Sequence, residues 1–139
     1  GLYVMIIINN MKQIFLTLVF LFGGFNLIHA KVYEVDEQTF KDEILPNLTR
    51  PVVLDFYATW CAPCRMYSPI LERLSEEYEG SVDFYKVNVD ENTEWCEELE
   101  IKSVPTTFIV YTSIGDYLRK EGVVNANTLK KGIKRVLNL

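Results

Sequence analysis

The chain has 139 residues, 49% of them apolar and 24% charged, with a formal net charge of −5. That length supports one domain with its own core, and a negative balance without a basic cluster excludes nucleic acid and anionic lipid as expected partners. Three cysteines are too few for a disulfide framework.

Residues 1–10 open on Gly1 rather than methionine and read as a non-native extension outside the fold. From Met11, the segment MKQIFLTLVFLFGGFNLIHA places Lys12 ahead of an apolar run, Ile14 to Phe25, and ends on Ala30. A cation, a short apolar stretch and a small residue at the cut describe a secretory signal peptide over residues 11–30. The remaining domain, residues 31–139, is then expected to be periplasmic or secreted, with no stable membrane insertion after cleavage. The alternative is an uncleaved membrane anchor. Spanning a bilayer takes about 20 apolar residues, and the Asn9-Asn10-Met11-Lys12 interruption favours cleavage. Removal of the segment also removes His29, the only histidine.

In the domain, KVYEV alternates apolar and polar residues and predicts a strand from Val32 to Val35. Asp36 is the expected N-cap of a helix carrying Thr39, Phe40, Ile44 and Leu45 and ending before Pro46. PVVLDFYA, a run of apolar and β-branched residues, predicts a central strand buried on both faces. Met66, Ile70, Leu71, Leu74 and Tyr78 recur at helical spacing from Cys61 onward, with Pro69 kinking that helix and Gly80 stopping it. VDFYKVNV is a third strand, Asp90 to Leu99 a loop and short helix. TTFIVY and YLRKEGVV form a hairpin turning at Ser113–Asp116. Asn127 is the expected cap of a last helix through Leu129, Ile133, Val136 and Leu137. The order βαβαβαββα predicts an α/β domain. Helix-linked strands run parallel and the closing hairpin adds antiparallel ones, so the central five-stranded sheet is mixed and flanked by four helices.

The chemistry concentrates where the central strand meets the next helix. Cys61 lies at that helix's N-terminus, where free N–H groups and the positive end of the dipole favour a thiolate. Cys64 follows nearly one turn later, close enough for the sulfurs to meet with little backbone strain. Cys61 is therefore the candidate nucleophile and Cys64 the more buried, resolving thiol. Two buried structural cysteines are the plainer alternative. A zinc site would need about four ligands, which these cysteines, a distant Cys96 and no histidine do not supply. Asp55 interrupts the apolar strand six residues before Cys61, and burial there should raise its pKa toward neutrality. It is a candidate proton donor and acceptor for Cys64, or else a carboxylate satisfied by a polar neighbour. Cys96 reads as a packed thiol, with a regulatory disulfide as the alternative.

Taken together, DFYATWCAPC, RMYSP, YKVNVD, SVPTTFIVY and EGVV make residues 31–139 resemble the thioredoxin family over the length of its domain. The resemblance implies the thioredoxin fold and a redox-active Cys61–Cys64 disulfide that exchanges with protein disulfide substrates. It implies Asp55 as the buried acid, Lys86 as its electrostatic partner, and Pro105 as a cis-proline that frees the Val104 backbone to pair with a substrate strand. Trp60, Ala62, Pro63, Val104, Pro105 and Gly122 would line the contact surface, unless Trp60 is core and Gly122 serves a bulge. No cofactor is expected, and the chain should act as a monomer with a dithiol electron donor. The family's commonest dipeptide between the cysteines is Gly-Pro, and Ala62-Pro63 stands here instead. Reduction is the leading direction. Oxidase or isomerase activity and a non-catalytic binding module are the alternatives.

Overall fold

The computed structural model describes residues 1–22 and 31–138. The predicted cleavage region around His29 and Ala30 lies outside the described residues. Helix α1 (Leu2–Phe22) runs unbroken through Asn9–Lys12. Among the described residues no helix is long and apolar enough to cross a membrane.

Five strands, β1 (Val32–Glu34), β2 (Val52–Tyr57), β3 (Asp83–Asn88), β4 (Thr106–Val110) and β5 (Tyr117–Glu121), form one sheet in the order β1-β3-β2-β4-β5. β1, β3 and β2 are parallel, while β4 and β5 join antiparallel. This is the expected mixed sheet. The apolar run of β2 occupies its centre, because a strand with two buried faces has no other stable place.

Side chains alternate across a strand, so β2 serves two cores. Val52, Leu54 and Phe56 face a cluster with Phe108, Phe40 from the turn that follows α2 (Glu37–Thr39), and Trp95 from α4 (Thr93–Glu98). Trp95 meets the Phe56 ring edge-on at 5.0 Å, a favoured aromatic geometry. Val53 faces the opposite cluster with Tyr67, Leu71, Ile109, Leu129 and Ile133, beneath α3 (Ala62–Glu77) and α5 (Ala126–Leu137). Asp55, two residues on from Val53, shares this second face.

Three local expectations are corrected. The helix opened by Asp36 does not stay α-helical to Leu45: it widens to a π turn over Phe40–Ile44, where the Leu45 N–H reaches the Phe40 carbonyl. It then tightens to a 3₁₀ turn, Leu45–Asn47, which holds Pro46. Pro46 is tolerated there because a first-turn residue needs no N–H. The cap of α5 is Asn125, whose side chain accepts the Thr128 N–H at 2.9 Å, rather than Asn127. In α3 the buried stripe is Cys64, Tyr67, Leu71, Leu74 and Ser75, whereas Met66 points to solvent. The stripe starts from Cys64, so the helix is turned by one residue relative to a stripe begun at Met66. Asp36 does cap α2, accepting the Thr39 N–H at 2.7 Å. Pro69 lies inside α3, and Gly80 follows its end with φ +80°.

Candidate active site

β2 ends at Tyr57 and α3 begins at Ala62, so the short link between them places Trp60 and Cys61 past the C-terminal end of the central strand. Cys61 is the N-cap of α3, and its Sγ accepts the Cys64 N–H at 3.2 Å. A sulfur so placed receives a free helix N–H and the positive end of the dipole, both of which favour negative charge. Pro63 sits in the first turn, where its missing N–H leaves no bond unmade. Cys61 and Cys64 are joined in a disulfide, their Cα atoms 5.3 Å apart. In this oxidised form they are about equally enclosed, 4% and 5% exposed, so Cys64 is not the more buried of the two. The disulfide holds both sulfurs against the same small cluster with Ala58.

The Val104–Pro105 peptide is cis, as the resemblance implied. It brings the Val104 carbonyl oxygen within 3.7 Å of Cys61 Sγ. Gly122, at φ +76°, donates its N–H to the Pro105 carbonyl at 2.8 Å, which ties the loop after β5 to the same spot. Only glycine takes that backbone conformation readily. Ala62 and Pro63 are exposed beside the disulfide. Trp60 is no core residue: it is 68% exposed and its Nε1–H donates to Asp90 Oδ2 at 2.9 Å.

Asp55 lies beneath, 4% exposed. The sheet register places it between Lys86 on β3 and Thr107 on β4. Burial raises its pKa from 3.8 to about 7, against the opposing pull of a Thr107 hydrogen bond and the Lys86 charge. Lys86 gives Asp55 this electrostatic help without an ion pair. Its Nζ turns to Glu34, 3.7 Å away, and lies 5.1 Å from the centre of the Tyr57 ring. The Tyr57 hydroxyl in turn donates to Glu34 Oε1 at 2.7 Å. Asp55 and Cys64 border one open cleft of about 450 Å³, with Lys86, Arg65 and Glu72 also on its wall.

The sequence reading missed Glu34, Tyr57, Tyr67, Asp90 and Thr107 as members of this surrounding. Tyr67, three residues past Cys64, carried a usable signal, since that spacing puts it on the same helix face. Thr107 carried none, because only the β2–β4 register sets it beside Asp55. Cys96 is half-buried and free, its pKa raised by burial first. Among the described residues no group of three or more His, Cys, Asp or Glu side chains could hold a metal ion.

A buried acid beneath a helix-capping disulfide, beside a cis-proline, is an arrangement for thiol–disulfide exchange. Comparison with known proteins agrees. The thioredoxin family model matches residues 31–135. Thioredoxin from Pyropia yezoensis is 44% identical over 78 residues, 56% of this chain and 72% of that protein. Chloroplastic thioredoxin M-type from Pisum sativum is 36% identical over 117 residues, 81% of this chain and 65% of its own. A crystal structure of chloroplastic thioredoxin z superposes with a TM-score of 0.72 at 30% identity, covering 78% of this chain and 96% of that one. With the cysteine pair, the buried acid and the cis-proline in one place, the chain belongs to the thioredoxin family of thiol–disulfide oxidoreductases.

Proposed function

We propose that the protein reduces disulfides in protein substrates outside the cytosol, with Cys61 as nucleophile. The observation that carries this reading is Cys61 Sγ at the N-cap of α3, accepting the Cys64 N–H and lying beside the Val104 carbonyl. In the reduced protein the Cys61 thiolate attacks a substrate disulfide. One Cys61–substrate S–S bond forms, the substrate bond breaks, and the released sulfur takes up a proton. Cys64 then gives its proton to ionised Asp55, and its thiolate attacks Cys61 Sγ. The Cys61–Cys64 disulfide forms and the second substrate sulfur leaves. Two electrons have passed to the substrate, and a dithiol donor must return them to restore the pair. Asp55 suits this step because a group with a pKa of about 7 exchanges protons near neutrality.

The exposed Trp60, Ala62 and Pro63, with Val104, Pro105 and Gly122, surround the disulfide and form the substrate contact surface. An extended substrate segment laid along Val104 binds through main-chain bonds and needs no particular side-chain sequence. A monomer suffices, since every residue in this account comes from one chain. Reduction is favoured over oxidation by the uncharged Ala62-Pro63 between the cysteines, which adds no cation to hold the thiolate. The extracytosolic setting rests on Lys12 and the apolar run that follows it.

Insulin reduction with dithiothreitol as donor tests the assignment. Cys61→Ser is expected to abolish turnover, and Cys64→Ser to accumulate a mixed disulfide through Cys61. Full activity in Cys61→Ser would remove the nucleophile assignment.

A further inference from the structure

Asp55 is not alone in its pocket. Thr107 Oγ1 lies 3.4 Å from Asp55 Oδ1 and 3.1 Å from the Tyr67 hydroxyl. Thr107 and Tyr67 are both fully buried. Thr107 is the cross-strand neighbour of Asp55 on the face that α3 covers, and Tyr67 descends from α3 one turn beyond Cys64.

The direction of these bonds follows from proton count. Thr107 has one hydroxyl proton and cannot donate to both neighbours. Burial pushes the Tyr67 phenol up to about 12, so it keeps its proton at any pH where the protein works. Among the described residues Thr107 is its one hydrogen-bond partner. Tyr67 therefore donates to Thr107, and Thr107 donates to Asp55. The reverse direction would leave the buried phenol proton without an acceptor, which is unfavourable. At 3.4 Å the last bond is long for a hydroxyl donor. Bonds of this kind to an ionised carboxylate run to about 2.5–2.7 Å, so it has room to tighten as Asp55 loses its proton.

We propose that Thr107 and Tyr67 are positioning residues for Asp55: their hydroxyls form a buried relay that fixes Oδ1, favours the ionised carboxylate, and leaves its other oxygen for the Cys64 proton. This rests on the reading of Asp55 as the proton acceptor of the resolving step. Burial alone would hold Asp55 protonated too firmly to accept anything at neutral pH. Lys86 opposes that tendency from the β3 side while engaged with Glu34 and Tyr57, and the relay opposes it from the β4 side.

The test reads Asp55 itself. Infrared difference spectra of its carboxyl C=O stretch, recorded on the disulfide form from pH 5 to 9, give its titration midpoint. Single-turnover kinetics give the pH dependence of the Cys64 step. The other ionisable groups bordering Asp55 and its cleft, Lys86 from β3, Tyr57 from β2, Cys64, Arg65 and Glu72 from α3, and Glu34 behind Lys86, are the same in every variant. Differences between variants therefore report the hydroxyls. Thr107→Val is expected to weaken Asp55 ionisation about tenfold, the equivalent of 1.4 kcal/mol, and to move the resolving step's rise to higher pH. Tyr67→Phe should move both in the same direction by less, and Thr107→Ser should restore both. An unmoved midpoint in Thr107→Val overturns the relay, as does a Thr107→Ser that behaves like valine. Should Thr107→Val not fold, an unmoved midpoint in Tyr67→Phe overturns it. A moved midpoint with an unmoved rate profile also overturns the positioning role where Asp55→Asn slows the resolving step. If Asp55→Asn leaves that step unchanged, the proton-acceptor reading fails instead.

Discussion

Asp55 is the residue at which stability and chemistry oppose each other. Its folded pKa of about 7 stands above the ordinary 3.8. Below pH 3.8 the carboxyl is protonated in both folded and unfolded chains and adds nothing. Between 3.8 and 7 the unfolded chain ionises while the native one holds its proton, so native stability falls as pH rises; above 7 the full penalty remains. The difference corresponds to about 4 kcal/mol at most. Asp55→Asn is expected to stabilise the protein by up to that amount at pH 8 and negligibly at pH 3.5, in denaturant titrations at the two values. The same variant should slow the Cys64 step and spare the first attack by Cys61. Lower stability with unaltered turnover would make Asp55 a structural hydrogen-bonding residue. The burial of Asp55 was legible from its apolar neighbours alone. Of its partners only Lys86 was foreseen, through the family resemblance; the Glu34–Tyr57 contacts of Lys86 and the Thr107–Tyr67 pair were not, because they meet only across strands and from a helix above.

The elements show which local signals carry and which slip by a residue or two. Asp36 caps α2 as predicted, yet α5 starts from Asn125 and not from Asn127, although both are asparagines and suit a cap equally. The choice falls to packing. Starting at Ala126 turns Leu129, Ile133 and Val136 into the core, and Gly132 lets α5 approach β4 so closely that a Cβ there would stand 2.8 Å from Ile109 Cδ1. Asn125→Ala should therefore cost about 0.5–2 kcal/mol in chemical denaturation. Asn127→Ala, at an exposed position inside the helix, should change stability by less than about 0.5 kcal/mol. An equal loss in both variants would refute the capping assignment. The phase of α3 slipped in the same way. Met66 and Tyr67 are adjacent apolar residues, and helical period alone does not say which of two neighbours leads the buried stripe.

At the scale of the whole molecule, the side chains that build both cores are, among the described residues, those of 31–138. Lys31 is tied to the fold: its backbone N–H donates to Ser75 Oγ at 3.0 Å, and its Nζ to Glu79 at 2.7 Å. Protein recovered from its host is expected to start at or near Lys31 by mass spectrometry. A chain made from Lys31 onward should unfold at the same denaturant concentration as the full chain; a clear drop in midpoint would show that residues 1–30 contribute to the core. By itself the sequence determined the strand and helix order, the mixed sheet, the central place of β2, and a spacing that lets Cys61 and Cys64 meet. Those follow from periodicity, connection lengths and spacings within a few residues, which act locally. Only the tertiary structure decided that Trp60 leans out to Asp90, that Lys86 answers to Glu34, and that a threonine and a tyrosine flank Asp55. Each of these depends on strand register or on how a helix is turned above the sheet. Register and rotation are set by the packing of the whole core, which no single segment encodes.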